Sequence, residues 1–392
     1  MQNTEENIRK LEEYIKYRDD IKVDVLDVMK TVASLNGVKF KKTEGMKQID
    51  KIIPSKKHMV FILLDGFGYY KLKRLGEDSI LKQNNKMKIK TVNPTSTACV
   101  LTSLMSASYP NQHGIYGWWD YNKDYDLSYY PLLLEERKTG EKLKDKGISN
   151  KEIYKFESIF NQFKTKVNVY ERRDLINSEY TNMFSKKASK YGFYSIKDCF
   201  EKVKKNILER ETATFNYIYI NGLDEASHSN GVDSKEVSDI INAVENGIKN
   251  VANEETSVIL IADHGQVDMT SMMYLNQKTD YTKYFYALPS IDTRMISFFV
   301  KNECAKEFEE KFMEEFSQDV ILLTKEQAKK INLFGSSSYS EHADKSLGEY
   351  IAVVVNNKFL VCDKLMLEDY ILTKGNHSGL TKEEITVPFV VI

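Results

Sequence analysis

Cysteine is scarce in this sequence, and its four copies, Cys99, Cys199, Cys304 and Cys362, lie far apart with no CxxC pair. Reduced thiols are expected, rather than a disulfide framework or a thiolate zinc site. Proline numbers six in 392 residues, and no proline-rich linker, low-complexity tract or internal repeat interrupts the chain. No apolar run approaches membrane-spanning length; MVFILL (59–64) has the length of a buried strand. Charge of one sign is also lacking. The 56 basic and 57 acidic residues nearly cancel, so no electrostatic footprint for nucleic acid or an anionic membrane follows. The first stretch, MQNTEENIRKLEEYIKYRDD, is polar and lacks the apolar core of a signal peptide. A soluble cytoplasmic protein is expected. A homo-oligomer is compatible with the sequence, but no residue pattern supports one.

What is present is an alternation of short β-branched runs and helical patterns. The runs are 58–64, 88–92, 217–220, 257–262, 350–355 and 385–392. Their lengths suit strands buried on both faces. Helical periodicity fills gaps between them, at 98–107, 195–209 and 237–251. Such alternation predicts an α/β fold with a mostly parallel central sheet and helices on both faces. Residues 1–55 read as an N-terminal helical segment and 56–392 as the core. Two stretches break the pattern. Residues about 116–190, rich in Tyr, Lys and Asn, read as a cap insertion; residues about 293–345 read strand, helix, strand, helix, a small inserted α/β unit.

Polar clusters follow the strands. Asp65-Gly66 follows MVFILL, Asp224 and His228 follow YIYI, Asp263-His264 follows VILIA, and His377 precedes the last strand. In open α/β sheets ligands bind outside the carboxyl ends of the strands. Asp224 and His228 are four apart, so one helical turn brings them to the same face. Alone, the pair reads equally well as solvated side chains; converging with Asp65, Asp263, His264 and His377, it reads as metal ligation. Carboxylate and imidazole ligands suit Zn²⁺, and less exclusively Mn²⁺ or Fe²⁺. There are enough ligands for two ions, which can clamp the attacking and leaving oxygens of a displacement at phosphorus. The nucleophile candidate is Thr97, in the predicted first turn of a helix whose unpaired N–H groups favour an anion. Thr95 and Ser96 are the alternatives.

The segment PTSTACVLTSLMSASYPNQHGI (94–115) resembles the nucleophile segment of the alkaline phosphatase superfamily, in its type I phosphodiesterase/nucleotide pyrophosphatase branch. LLDG, DxxxH, ADHG and a late GxH follow that family's order. The tail HSGLTKEEITVPFVVI is also similar to PglZ-like relatives in the superfamily. The resemblance implies an alkaline-phosphatase-like fold and two divalent metal ions, zinc or else manganese. Asp65, Thr97, Asp263 and His264 would surround one ion, and Asp224, His228 and His377 the other. It implies hydrolysis of a small-molecule phosphoester or nucleotide through a covalent phospho-threonine. Phosphomonoesterase and phosphonate hydrolase activities share the scaffold, and a phosphosugar mutase overlaps in motifs. Sulfatase chemistry is not expected, because Cys99 is followed by Val100-Leu101-Thr102 instead of a CxPxR element. A catalytically weak PglZ-like metal-binding module in a larger assembly is the reading from a different class.

One family feature is absent. The branch carries an Asn shortly after the HGI turn, which donates to a phosphoryl oxygen; equal-length alignment puts Trp118 there. The backbone N–H of Ala98, or Asn122 from a shifted loop, is a candidate substitute. Among the remaining histidines, His113 is expected to shape the HGI turn, His58 to be structural and His342 to lie in an exposed loop. The aromatic group Tyr116, Trp118, Trp119, Tyr121 and Tyr125 either packs a cap or stacks on a nucleobase.

Overall fold

The computed structural model describes residues 3–370 and 373–392, without the side chains of 368–370. Seven strands build the central sheet: β1 (His58–Leu64), β2 (Asn85–Lys90), β3 (Lys166–Arg172), β4 (Ser189–Phe193), β5 (Thr214–Ile220), β6 (Thr256–Ile261) and β7 (Thr386–Val391). Their spatial order is β2-β7-β6-β1-β5-β3-β4. β1 pairs in parallel with both β5 and β6, and β3 pairs in parallel with both β5 and β4. β7 runs antiparallel to β2 and to β6. The central strands β1, β5 and β6 are buried along their whole length, as strands covered by helices on both faces must be. Because these three run the same way and adjoin, their carboxyl ends share one rim, and Asp65, Asp224 and Asp263 come just after those ends.

The helices read from periodicity are present as Thr97–Ser106, Ile196–Leu208 and Lys235–Val251. Ser195 and Ser234 cap the latter two, each accepting a hydrogen bond from the third helical N–H. The N-terminal segment holds three helices, Glu5–Asp20, Val25–Leu35 and Glu44–Asp50. The second is stopped at its start by a reciprocal capping box between Asp24 and Asp27. It buries Val25, Val28, Met29 and Val32 in the main core. The first helix leans on the small unit instead: Asn7 Nδ2 donates to Ser317 O (2.7 Å) and Tyr14 Oη to Val355 O (3.2 Å).

Two boundaries differ from the sequence reading. Residues 116–190 are not wholly a cap. Their first part forms a three-stranded antiparallel meander (Asp120–Asn122, Leu127–Tyr130, Glu135–Glu136). Their later part supplies β3 and the first residues of β4 to the central sheet. The strand KVNVYER carries enough polar residues to hide among its surroundings. The second difference concerns Tyr350–Val354, read as a core strand. It pairs antiparallel with Met295–Phe298 and Val320–Thr324 in a separate four-stranded sheet, so the small unit extends past residue 345. A β-branched run identifies a strand, but both sheets accept it equally well.

A buried ion pair joins that small unit to the C-terminal segment. Arg294 Nε and Nη2 donate to Glu384 Oε1 (2.7 Å) and Oε2 (3.0 Å), and neither side chain is exposed. Glu384 also accepts from the N–H groups of Gly379 and Thr381, fixing the turn after His377. Removing one partner leaves a buried, uncompensated charge. Arg294→Met is therefore expected to cost about 3–5 kcal/mol in urea unfolding; a loss below about 1 kcal/mol would show that the pair braces nothing.

Candidate metal centre and adjoining cavity

Each polar residue of the rim is placed by its element. Asp65 leaves the end of β1, and its N–H donates to Ile220 O (3.0 Å), locking it beside β5. Asp224 and His228 sit one turn apart on the helix Gly222–Asn230. Asp263 and His264 follow β6. His377 follows the two-residue strand Gly375–Asn376, which pairs with Val267–Asp268. Ser378 then passes through the left-handed region (φ 85°), held by its N–H on Thr95 O (3.0 Å) and by the Arg294 N–H on its hydroxyl (3.1 Å).

These side chains converge. His264 Nε2 lies 3.6 Å from Asp65 Oδ1, 3.4 Å from Asp263 Oδ2 and 3.2 Å from Thr97 Oγ1. Asp224 connects this group to a second one, with His228 Nε2 3.4 Å from its Oδ2 and His377 Nε2 3.7 Å from its Oδ1. The rings of His264 and His377 stack with centroids 3.8 Å apart. Two groups have the spacing to hold a metal ion: Asp224, His228 and His377, and Asp65, Asp224 and His264.

Two observations test whether a cation fits. First, Asp65 Oδ1 and Asp263 Oδ2 are buried yet find no hydrogen-bond donor among the described residues, although buried carboxylate oxygens ordinarily find one. Second, all three imidazoles are oriented alike. Nδ1 of His228 meets Gly375 O (2.8 Å), Nδ1 of His377 meets Thr95 O (2.8 Å), and Nδ1 of His264 meets Gly265 O (3.2 Å). A carbonyl only accepts, so each Nδ1 carries the proton and each Nε2 offers its lone pair to the centre. This is how outer hydrogen bonds orient metal-ligating histidines. The residues fit divalent cations.

The electrostatics agree. Burial, then the charges of Asp263 and Asp224, push the Asp65 carboxyl well above its ordinary range. Burial raises Asp263 to about 6. Burial also opposes ionisation of Asp224, but the imidazoles of His228, His377 and His264 outweigh it and hold this carboxyl below the usual range. Burial lowers His264 and His377 to about 4, which keeps their Nε2 atoms unprotonated at neutral pH. For His228 burial is outweighed by the Asp224 carboxylate, and its pKa rises.

Thr97 is the first residue of its helix, after Ser96. The hydroxyls of its neighbours are engaged elsewhere: Thr95 Oγ1 donates to Gly379 O (3.0 Å) and Ser96 Oγ to Asp292 Oδ2 (2.9 Å). Ala98 is buried in the same first turn, where amides lack intrahelical partners. Thr97, Asp65 and Asp224 open into a cavity of about 310 Å³, which Trp118 also lines. Asn122 is not among its lining residues. It lies in the meander, where its side-chain oxygen accepts from Asp124 N–H (3.0 Å).

Of the other aromatics, Tyr116, Trp119 and Tyr121 are buried in packing, and Tyr125 is exposed. His113 accepts from Ile115 N–H (3.1 Å) and so shapes its turn; His58 pairs with Thr214 (2.8 Å). His342 departs from the sequence reading. It is buried in a short helix, Glu341–Lys345, against Gly114, because the loop folds back over the HGI turn.

Four residues near the centre were not legible beforehand. Tyr219 donates to Asp65 Oδ2 (2.5 Å) and Gln266 Nε2 to Asp224 Oδ1, orienting both carboxylates. Asp292 accepts from Ser96 and from Thr293 N–H (2.7 Å), and its charge acts on His377 and His228. Glu171 leaves the end of β3 and lines the cavity, buried, with Thr181 Oγ1 donating to its Oε2 (2.7 Å). For the Tyr and the Gln, adjacency to a ligand motif was the available signal. For Glu171 the signal was the strand itself, which was read as part of the cap.

Burial pushes the Glu171 carboxyl up to about 7. An acid with a raised folded-state pKa costs nothing below its unfolded pKa; the penalty grows as pH rises through the interval and is complete above the folded pKa. Glu171→Gln is thus expected to gain stability relative to the parent between pH 4.5 and about 7, by on the order of 3 kcal/mol. Urea midpoints at pH 4.5 and 8 measure it, and a pH-independent difference would contradict the burial of this group.

Residues 59–332 match the model of the family described as type I phosphodiesterase / nucleotide pyrophosphatase. No curated protein matches the sequence. Among solved structures, murine ectonucleotide pyrophosphatase/phosphodiesterase 5 superimposes with a TM-score of 0.64 at 14% identity, over 86% of this chain and 87% of that one. An inactive variant of the murine protein, in complex with AMP, matches with the same values. The human protein gives 0.63 at 15% identity, with 86% and 87% covered. These likenesses show a shared fold. With the family match spanning more than half its length, the chain belongs to the type I phosphodiesterase / nucleotide pyrophosphatase family and is a hydrolase of phosphoric esters.

Proposed function

We propose that the chain hydrolyses a nucleotide-type phosphodiester or pyrophosphate through a phospho-threonine on Thr97. Asp65, Asp263, His264 and the Thr97 oxygen would hold one divalent cation, and Asp224, His228 and His377 a second, with zinc or manganese as the ions. The observation that carries the reading is the pair of buried carboxylate oxygens without donors among the described residues, Asp65 Oδ1 and Asp263 Oδ2, around an imidazole nitrogen that also meets Thr97. Bound there, such cations favour an ionised hydroxyl and neutralise charge developing on phosphoryl oxygens.

The chain's own groups do the rest. Thr97 Oγ1 faces the cavity and attacks phosphorus, and the bond to the departing oxygen breaks opposite it. Water then cleaves the phospho-threonine and restores the hydroxyl, so that one difficult step becomes two. The Ala98 N–H, in the first helical turn, would donate to a phosphoryl oxygen. Tyr219 and Gln266 hold Asp65 and Asp224 in register. The family description and the AMP complex of the murine relative favour a nucleotide over a simple monoester. The four unpaired cysteines suit a cytosolic setting; recovery of the native protein only outside the cytosol would reject that location.

Trp118 at the position where the family carries Asn favours a second reading, a metal-binding module of weak activity. Turnover of bis(p-nitrophenyl) phosphate and p-nitrophenyl phosphate with added Zn²⁺ or Mn²⁺ separates the two, since metal binding without turnover of either leaves the module. Thr97→Ala is expected to lower turnover at least ~1,000-fold while the protein retains most of its metal by elemental analysis. Activity near the parent's would move the nucleophile elsewhere. Asp65→Asn is expected to make the metal-free protein more stable, because one of three crowded carboxyls is gone, and to diminish the rise in melting temperature on adding Zn²⁺. An undiminished rise would remove Asp65 from the ligands.

A further inference from the structure

Asp292 belongs to neither candidate ligand group, and the hydrolysis proposed above gives it no part. It is buried, and it follows the short strand Ser290–Ile291 of the small antiparallel sheet. Ile291 holds φ 82°, in the left-handed region that a β-branched residue rarely adopts. Two hydrogen bonds with Trp119 keep it there: Ile291 N–H on Trp119 O (2.8 Å) and Trp119 N–H on Ile291 O (3.2 Å). A Cβ at Gly117 would collide with the Ile291 carbonyl. Backbone strain of this kind persists where the surroundings enforce it, and it clusters at functional sites. From the strained turn the carboxylate reaches two parts of the rim. Oδ2 accepts from Ser96 Oγ (2.9 Å), beside Thr97. Oδ1 accepts from the Thr293 N–H (2.7 Å) and, at 3.4 Å, from its hydroxyl. Thr293 Oγ1 in turn accepts from Asn376 Nδ2 (3.0 Å), and Asn376 Oδ1 from the His377 N–H (2.8 Å). Every member of this chain is buried. Arg294, two residues on, is committed to Glu384 (2.7 Å). Burial pushes the Asp292 carboxyl above its ordinary range, and the imidazoles of His377 and His228 act against that.

Resting on the phosphodiesterase reading above, we propose that Asp292 is a positioning residue, through which the small sheet sets the nucleophile turn and the His377 turn relative to one another. Through Ser96 it fixes the segment that opens the helix of Thr97. Through Thr293 and Asn376 it fixes the backbone that carries His377. Its charge has a second effect. The group Asp224, His228 and His377 contains one carboxylate, whereas Asp65, Asp224 and His264 contain two. A divalent ion held by one carboxylate and two neutral imidazoles keeps a positive charge, which a buried anion close by offsets. Hydrogen-bonded groups outside the ligand set tune affinity in this way. Asp292 is not among the residues lining the cavity beside Thr97, so it acts through Ser96 and His377 and not on substrate. The two effects are separable. Asparagine at 292 keeps the shape and an acceptor for Thr293 but loses the charge; alanine at 96 keeps the charge and loses the link to the nucleophile turn.

The test combines calorimetric Zn²⁺ titration of the metal-free full chain with turnover of bis(p-nitrophenyl) phosphate at saturating Zn²⁺. His228→Ala identifies the binding step that belongs to Asp224, His228 and His377. Asp292→Asn is expected to weaken that step about 10–100-fold and to leave the other as in the parent. Ser96→Ala is expected to keep both steps and the parent's KM while kcat falls about tenfold, the size of a hydrogen bond to a charged group. The double variant is expected to lose less kcat than the two single losses multiplied, because both cut the same bond. A titration of Asp292→Asn like the parent's overturns the proposal. So does a loss shared equally by both steps, as general loosening of the fold gives, or a kcat loss in the double variant equal to the product of the single ones. Should Asp292→Asn not fold, Thr293→Val cuts the hydroxyl link to Asn376 and keeps charge and shape; it is expected to weaken the same step about tenfold, and parent-like binding overturns the proposal. A parent that turns over no ester rejects the phosphodiesterase reading instead, and the zinc steps, which need no catalysis, still decide the role of Asp292.

Discussion

Three carboxyl groups, Asp65, Asp224 and Asp263, are buried within reach of one another, and like charges so placed cannot all ionise without a compensating cation. That repulsion organises the surroundings. Tyr219 and two backbone N–H groups occupy one oxygen of Asp65 and of Asp263, respectively, and leave the other oxygen bare. Three backbone carbonyls turn three imidazoles so that their basic nitrogens point inward. This crowding of carboxyls, which keeps Asp65 from ionising in its ordinary range, is the feature that a cation would relieve.

The sheet makes this crowding possible. β1, β5 and β6 are adjacent and parallel, so the residues that leave their carboxyl ends arrive at the same edge. The candidate ligands from elsewhere need separate support. Thr97 comes from a helix start, and His377 comes from a turn pinned by Thr95, Arg294 and Glu384. The Arg294–Glu384 pair links that turn to the small antiparallel sheet. The inserted unit is thereby joined to the candidate metal centre, and the N-terminal helix Glu5–Asp20 braces the unit from outside.

The cavity draws on more than one part of the rim. Strands at the middle of the sheet bring the carboxylates of the centre, while β3, two places from β1, brings Glu171 and Arg172 to the same opening. Trp118 enters from the loop after the HGI turn. The cavity is thus lined from strands two places apart in the sheet as well as from the rim itself.

The motifs that converge at the rim were legible because each is short, local and attached to a strong apolar strand: Asp65 after MVFILL, Asp263-His264 after VILIA, and Asp224 and His228 one helical turn apart. Thr97 was legible as a helix start. The polar strand Lys166–Arg172 was not, since its alternation is weak and its neighbours look like a cap; Tyr350–Val354 was visible as a strand but not assignable to a sheet. His342 looked exposed because nothing in SSSYSEHADKS signals a loop folded back on Gly114. By itself the sequence determined the succession of elements and the chemistry at their ends, because both depend on neighbouring residues. Only the tertiary structure decided which strands adjoin, which carboxylate oxygens lack a donor and that Glu171 shares a cavity with Thr97. Those facts depend on contacts between residues far apart in the chain, and no local pattern encodes them.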